Sequence, residues 1–133
     1  MRIVDIEGIG PVYAEKLKKV GIRTTDALLK RGASPEGRKE IEAASGISHS
    51  LILEWVNLAD LYRIKGIGCE YSDLLEEAGV DTVVELANRV AQNLREKLVE
   101  VNSTKKLVRK LPGMKQVHAW IQDAKRLPRV VTY

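Results

Sequence analysis

The chain has no phenylalanine, one cysteine and two histidines among its 133 residues, and its two tryptophans and four tyrosines amount to only 5% aromatic content. A single cysteine, Cys69, forms no internal disulfide. That excludes a disulfide-stapled secreted scaffold and points to a reducing, cytoplasmic setting. So few thiol and imidazole groups leave little material for a metal site or a Cys–His catalytic pair. No stretch approaches the ~18 uncharged apolar residues of a membrane helix. Met1-Arg2-Ile3-Val4-Asp5 carries charge where a signal peptide needs an apolar core. Period-2 runs of β-branched and aromatic residues are missing outside the extreme ends, so strands are not expected.

What is present is a globular composition, 44% hydrophobic and 30% charged, long enough for one domain or two very small ones. The net charge of +4 is unevenly spread. Residues 103–133 hold eight basic residues against Asp123 alone, which leaves 14 basic and 17 acidic residues in 1–102. A basic end on a mildly acidic body suits an anionic partner at that end.

The strongest internal feature is a repeat. Ile6-Glu7-Gly8-Ile9-Gly10-Pro11-Val12-Tyr13 recurs as Ile64-Lys65-Gly66-Ile67-Gly68-Cys69-Glu70-Tyr71, an offset of 58, with nine of 24 positions identical from residue 6 to 29. Each copy reads as helical. Pro11 suits a first helical turn, and Tyr13, Leu17 and Val20 share one face before Gly21. Thr24 caps a helix ended by Gly32, Ser34-Pro35 begins one ended near Gly46, and Ser48 begins one reaching about Arg63. In the second copy a helix runs from Cys69 to about Glu77, and Thr82-Val83-Val84-Glu85 has capping-box spacing. Asn93 starts the next helix, Asn102 or Ser103 caps another that ends at Leu111-Pro112-Gly113, and a last one runs from about Met114 to Leu127. The expectation is about nine short helices in two units, 1–63 and 64–133, on one shared core. An insertion in the second unit falls between residues 88 and 103.

The chemically suggestive motifs are the turns Gly8-Ile9-Gly10 and Gly66-Ile67-Gly68, each before a helix N-terminus. Their N–H groups and the helix dipole suit a phosphate. These apolar-Gly-apolar-Gly turns resemble those of the helix-hairpin-helix superfamily. The resemblance implies an all-α fold of two tandem helix-hairpin-helix units. It further implies contact with the nucleic-acid backbone through turn N–H groups, without sequence reading, and a monovalent cation on turn carbonyls in some members. With Trp55-Val56-Asn57-Leu58-Ala59-Asp60-Leu61, Val101-Asn102 and Leu111-Pro112 added, nearly the whole chain resembles an uncharacterised, mostly bacterial family of small tandem helix-hairpin-helix proteins, catalogued as a domain of unknown function.

Lys16, Lys18, Lys19 and Arg23 can support a phosphate at the first turn, with Lys16 and Lys19 on the side away from Tyr13 and Leu17. Glu70, Asp73, Glu76 and Glu77 surround the second, where carboxylates cost affinity. Gly66, Ile67 and Gly68 are therefore expected to be structural. At about 100° per residue, Lys105, Lys106, Arg109 and Lys110 fall on one arc of a helix and Leu107, Val108 and Leu111 on another, with Lys115 just beyond.

Other candidates fail. Tyr13 stands where a dinucleotide-binding fingerprint needs its third glycine. Cys69 has no neighbouring histidine, His49 and His118 share no ligand spacing, and Trp55 and Trp120 sit on apolar faces. Glu40, Glu42, Glu76 and Glu77 do not converge as acid–base pairs.

The function expected is a non-enzymatic, sequence-independent nucleic-acid-binding module, for DNA rather than RNA. Its contacts would be Gly8, Ile9, Gly10, Lys16 and Lys19, with Lys105, Lys106, Arg109, Lys110 and Lys115. No cofactor is expected beyond the monovalent cation. The competing expectation is a protein-interaction or adaptor domain whose hairpins are purely structural, which the acidic second hairpin suits. Neither reading involves a membrane.

Overall fold

A computed structural model describes residues 2–6 and 8–133; Met1 and Glu7, the latter part of the first glycine turn, lie outside the described residues. These residues form one short 3-10 turn (Ile3–Asp5) and eight α-helices. The helices are α1 (Pro11–Lys19), α2 (Thr25–Gly32), α3 (Pro35–Ser45), α4 (His49–Leu61), α5 (Cys69–Glu77), α6 (Val83–Ala87), α7 (Ala91–Lys105) and α8 (Met114–Arg126). An isolated bridge, Arg2 to Thr24, is the β-type pairing among them. No described helix is long and apolar enough to cross a membrane. The chain divides into two compact units, Met1–Asp60 with Arg129–Tyr133, and Leu61–Pro128. The C-terminal residues thus belong to the first unit and not, as expected, to the second.

Most helix ends follow local chemistry. Thr24 Oγ1 accepts from Ala27 N–H at 3.1 Å, Ser34 Oγ from Gly37 N–H at 3.1 Å, and Thr82 Oγ1 from Glu85 N–H at 3.0 Å. The α1–α2 and α5–α6 corners are built alike. Ile22 N–H donates to Leu17 O (2.9 Å) and Gly21 N–H to Lys18 O (3.0 Å); Val80 N–H donates to Leu75 O (2.8 Å) and Gly79 N–H to Glu76 O (3.0 Å). Gly21 and Gly79 sit at φ 87° and 91°, so each corner is a Schellman cap with a left-handed glycine. Arg31 and Arg89, also 58 apart, each donate across their corner, to Val20 O and Gly79 O.

Three expectations change. Gly32 is the last residue of α2, as expected, but it is needed for space and not for backbone freedom: it is buried, and a Cβ there would fall 2.5 Å from Val56 Cγ2, so its role is close packing on α4. Asn93 caps nothing; α7 starts at Ala91 and replaces two expected helices with one long one. Asn102 is no N-cap either. It lies near the end of α7, where its side chain accepts from Val108 N–H (3.0 Å) and donates to Val108 O (3.1 Å). Lys106 ends that helix in the left-handed region, φ 51° and ψ 48°, and residues 106–113 form a loop. The helix expected over that stretch does not exist.

In the second unit α5 and α7 pack together and α8 packs on α6 and α7, around a cluster that includes Leu74, Leu75, Leu86, Leu98 and Trp120. In the first unit α3 packs on α1 and α2. Its C-terminal segment is held by Arg38, which is 2% exposed. Arg38 Nη1 donates to Gly32 O (2.8 Å) and Ala33 O (3.1 Å), and Nη2 to Thr132 O (2.7 Å). Its guanidinium lies 5.7 Å from the Tyr133 ring centroid, and the Tyr133 hydroxyl donates to Asn57 Oδ1 at 2.8 Å.

Glu85 takes a different partner from the one a capping box supplies. Partial desolvation raises its carboxyl from the ordinary glutamate value, a hydrogen bond and repulsion from Asp81 raise it further, and Arg89 pulls it back. A carboxyl raised by folding adds stability below its unfolded value, and that contribution is lost as pH rises through the folded value. Asp81→Asn is expected to bring the Glu85 midpoint down in an NMR titration of side-chain carboxyl carbons. An unchanged midpoint would leave burial as the whole cause.

Candidate nucleic-acid interface

Both glycine turns have the same backbone. Gly8 and Gly66 occupy the left-handed region at φ 88° and 91°, which favours glycine. Ile9 N–H donates to Ile6 O at 3.1 Å, and Ile67 N–H to Ile64 O at 3.1 Å. The central N–H of each turn is therefore spent inside the turn, and Ile9, 4% exposed, contributes a core side chain where a phosphate contact was expected.

The second glycine of each pair is different. Gly10 has φ −84° and ψ −177°, and Gly68 has φ −109° and ψ −164°, both extended backbone open to any residue. A Cβ on either would meet nothing within 4 Å. Each is the N-cap of its helix with no side-chain cap bond. Serine or aspartate there would cap the helix by its own oxygen. Glycine leaves the helix's positive end bare and approachable. In α1 the N–H groups without an acceptor inside the helix are those of Gly10, Val12 and Tyr13, since Pro11 has no N–H and Ala14 N–H donates to Gly10 O.

Of the basic residues expected at the first turn, Lys16 is well placed. Its Nζ lies 5.7 Å from the Tyr13 ring centroid, one turn back towards the helix N-terminus. Tyr13 is braced edge-on against Trp55, with ring centroids 5.2 Å apart. Lys19 ends α1, roughly 12 Å along the axis from its first residue, Pro11, and does not join the turn.

The basic stripe is not a helix face. Lys105, the last residue of α7, is paired with Glu77 Oε2. Lys106, Arg109 and Lys110 lie exposed in the loop after it, and Lys115 is exposed in the first turn of α8. Several contacts fix where that loop runs. The Tyr71 hydroxyl donates to Lys110 O at 2.9 Å, and Arg95 Nε donates to Pro112 O at 3.1 Å. Tyr71 is the third residue of α5, just after Gly66–Gly68. A Cβ on Gly66 would lie 3.2 Å from Trp120 Nε1 and 3.4 Å from Gln116 Nε2, beside Lys115. The basic loop therefore lies next to the second glycine turn, the one the acids of α5 had marked as structural. Glu77, one of those acids, is neutralised by Lys105.

That arrangement could not be found from helical spacing, because Tyr71 and Lys110 are 39 positions apart. The Trp120 indole N–H, buried against the same turn, has no partner among the described residues. No group of three His, Cys, Asp or Glu among the described residues could hold a metal ion.

The chain belongs to the family described as Domain of unknown function (DUF4332), whose model matches residues 7–127. No solved structure matches it.

Proposed function

We propose that this member of an uncharacterised family is a sequence-independent nucleic-acid-binding module of the helix-hairpin-helix type, DNA being the preferred ligand. Backbone phosphates would meet the bare N-termini of α1 and α5. The observation that carries the reading is that the fold requires glycine at neither position 10 nor position 68, yet both helix starts are left uncapped. An external acceptor supplies the missing cap, and the basic residues supply the charge that turn amides alone lack. Lys16 serves the first turn. Lys110, Arg109 and Lys115 serve the second, which takes part on this reading.

The test is fluorescence anisotropy of labelled duplex DNA over roughly 50–200 mM salt. Gly10→Val is expected to fold, because its side chain enters open space, and to weaken binding. Arg109→Glu/Lys110→Glu/Lys115→Glu is expected to cost on the order of 10–100-fold in affinity and to flatten the salt slope by up to ~0.9 for each phosphate left without its cation. Lys105→Ala is expected to weaken binding too, though less than the triple variant, because it leaves unpaired the Glu77 carboxylate that Lys105 now neutralises. Absence of duplex binding at low salt, with helicity intact, would overturn the proposal.

A further inference from the structure

Along the side of α1, the first unit has a cleft of about 430 Å³ between the 3-10 turn, α1 and the α1–α2 corner. Its floor is apolar, formed by Ile3, Val4, Pro11 and Ala14. Lys18 and Arg23 stand at its edge, both exposed and neither in an ion pair with a described residue. Arg2 lies there too but is engaged by Asp5, and Glu15 is the one acid of the lining among the described residues.

The internal repeat explains why this space is open. Ile6 N–H donates to Ile3 O (3.2 Å) just as Ile64 N–H donates to Leu61 O (3.1 Å), so Val4 corresponds to Tyr62 and Ala14 to Ser72. In the second unit Ser72 is fully buried, with its Oγ 3.3 Å from the Tyr62 hydroxyl. In the first unit Val4 is 40% exposed. A phenol ring covers in one unit the helix face that a valine leaves uncovered in the other. The space is thus of a size and shape that an aromatic ring fills, with two uncompensated cations at its rim.

We infer that this cleft receives the ring of a nucleoside monophosphate, its phosphate held by Lys18 and Arg23, the nucleotide being the end of a nucleic-acid strand. The last clause rests on the nucleic-acid reading above; the nucleotide site itself does not. A phosphate monoester carries nearly two negative charges at neutral pH, which matches two cations better than a carboxylate does. The volume lies within the range of small-ligand sites. No aromatic side chain lines the cleft, so the ring is held by apolar contact without stacking, and little discrimination between bases is expected.

The experiment is an NMR titration of amide signals with uridine monophosphate, uridine and inorganic phosphate. Saturable shifts at Ala14, Lys18 and Arg23 are expected with the monophosphate. Val4→Tyr fills the cleft with the side chain the second unit already accommodates, and should weaken monophosphate binding roughly tenfold or more. Lys18→Glu/Arg23→Glu, at exposed positions, should do the same, and it keeps the test decisive if Val4→Tyr does not fold. No shift with the monophosphate, or equal affinity for inorganic phosphate that Val4→Tyr leaves untouched, overturns the site. Closed circular DNA separates the two readings because it has no strand end. Val4→Tyr should spare binding to the circle and weaken binding to a linear strand with a terminal phosphate; equal effects on both overturn the strand-end assignment. Failure of the wild type to bind the circle counts against the phosphate grip alone.

Discussion

Gly37→Ala is expected to destabilise the first unit by about 3 kcal/mol, lowering its melting temperature by roughly 12–24 °C. Helix propensity alone argues the opposite sign, since alanine is better than glycine inside a helix by about 1 kcal/mol. The decisive fact is steric. Gly37 is the third residue of α3, and a Cβ there would lie 2.0 Å from the Arg31 carbonyl oxygen. That oxygen is backbone of α2, so relief needs one helix to move from the other. The Ser34 cap would suffer as well, because Ser34 Oγ lies 3.3 Å from the same Cβ position and accepts the Gly37 N–H. Urea unfolding followed by circular dichroism reads the result. An unchanged midpoint would mean that the α2–α3 corner yields easily.

Arg38→Met has the second large effect, about 2–4 kcal/mol with release of residues 129–133. Two contributions oppose each other. Methionine removes the cost of burying a guanidinium that pairs with no carboxylate among the described residues. It also leaves the carbonyls of Gly32 and Thr132 without the donor they have now. The second wins, because three hydrogen bonds disappear, two at the end of α2 and one that ties it to the C-terminal segment, whose further anchors include the Thr132 N–H bond to Ala33 O (2.8 Å), the buried Val131 and the Tyr133–Asn57 bond. Arg38→Lys should rescue only part, since an ammonium cannot fork between two helix-end carbonyls and Thr132. Hydrogen exchange at the Thr132 amide is the readout. Protection that survives Arg38→Met would show that Val131 and Tyr133 hold the tail without the arginine.

The helix boundaries that sequence reasoning placed correctly share one property: their hydrogen bonds close within a few residues. Thr24, Ser34, Gly46 and Thr82 act on backbone groups three or four positions away. Gly21 and Gly79 close corners over five. The basic stretch failed for the converse reason. Lys105 to Lys110 has the periodicity of an amphipathic helix, yet Asn102 captures Val108, Tyr71 takes the carbonyl of Lys110 and Arg95 that of Pro112. A helical-wheel argument counts apolar and charged arcs and has no place for such bonds. The candidate site was half legible. The glycine turns announced themselves by repetition, whereas the basic loop's position beside the second turn did not.

By itself, the sequence determined an all-helical chain, the left-handed glycines at 8, 21, 66 and 79 and the paired corners they build, because these rest on steric limits and short-range bonds that a few adjacent residues settle. Tertiary structure decided the rest. Arg38 is one charged residue among several in Glu36-Gly37-Arg38-Lys39-Glu40 until a segment 94 positions away gives it a carbonyl to hold. Val4 and Tyr62 are equivalent in the repeat until the helix face beside each shows one space closed and one open. Burial and long-range pairing depend on which surfaces meet in space, and local periodicity carries no information about that meeting.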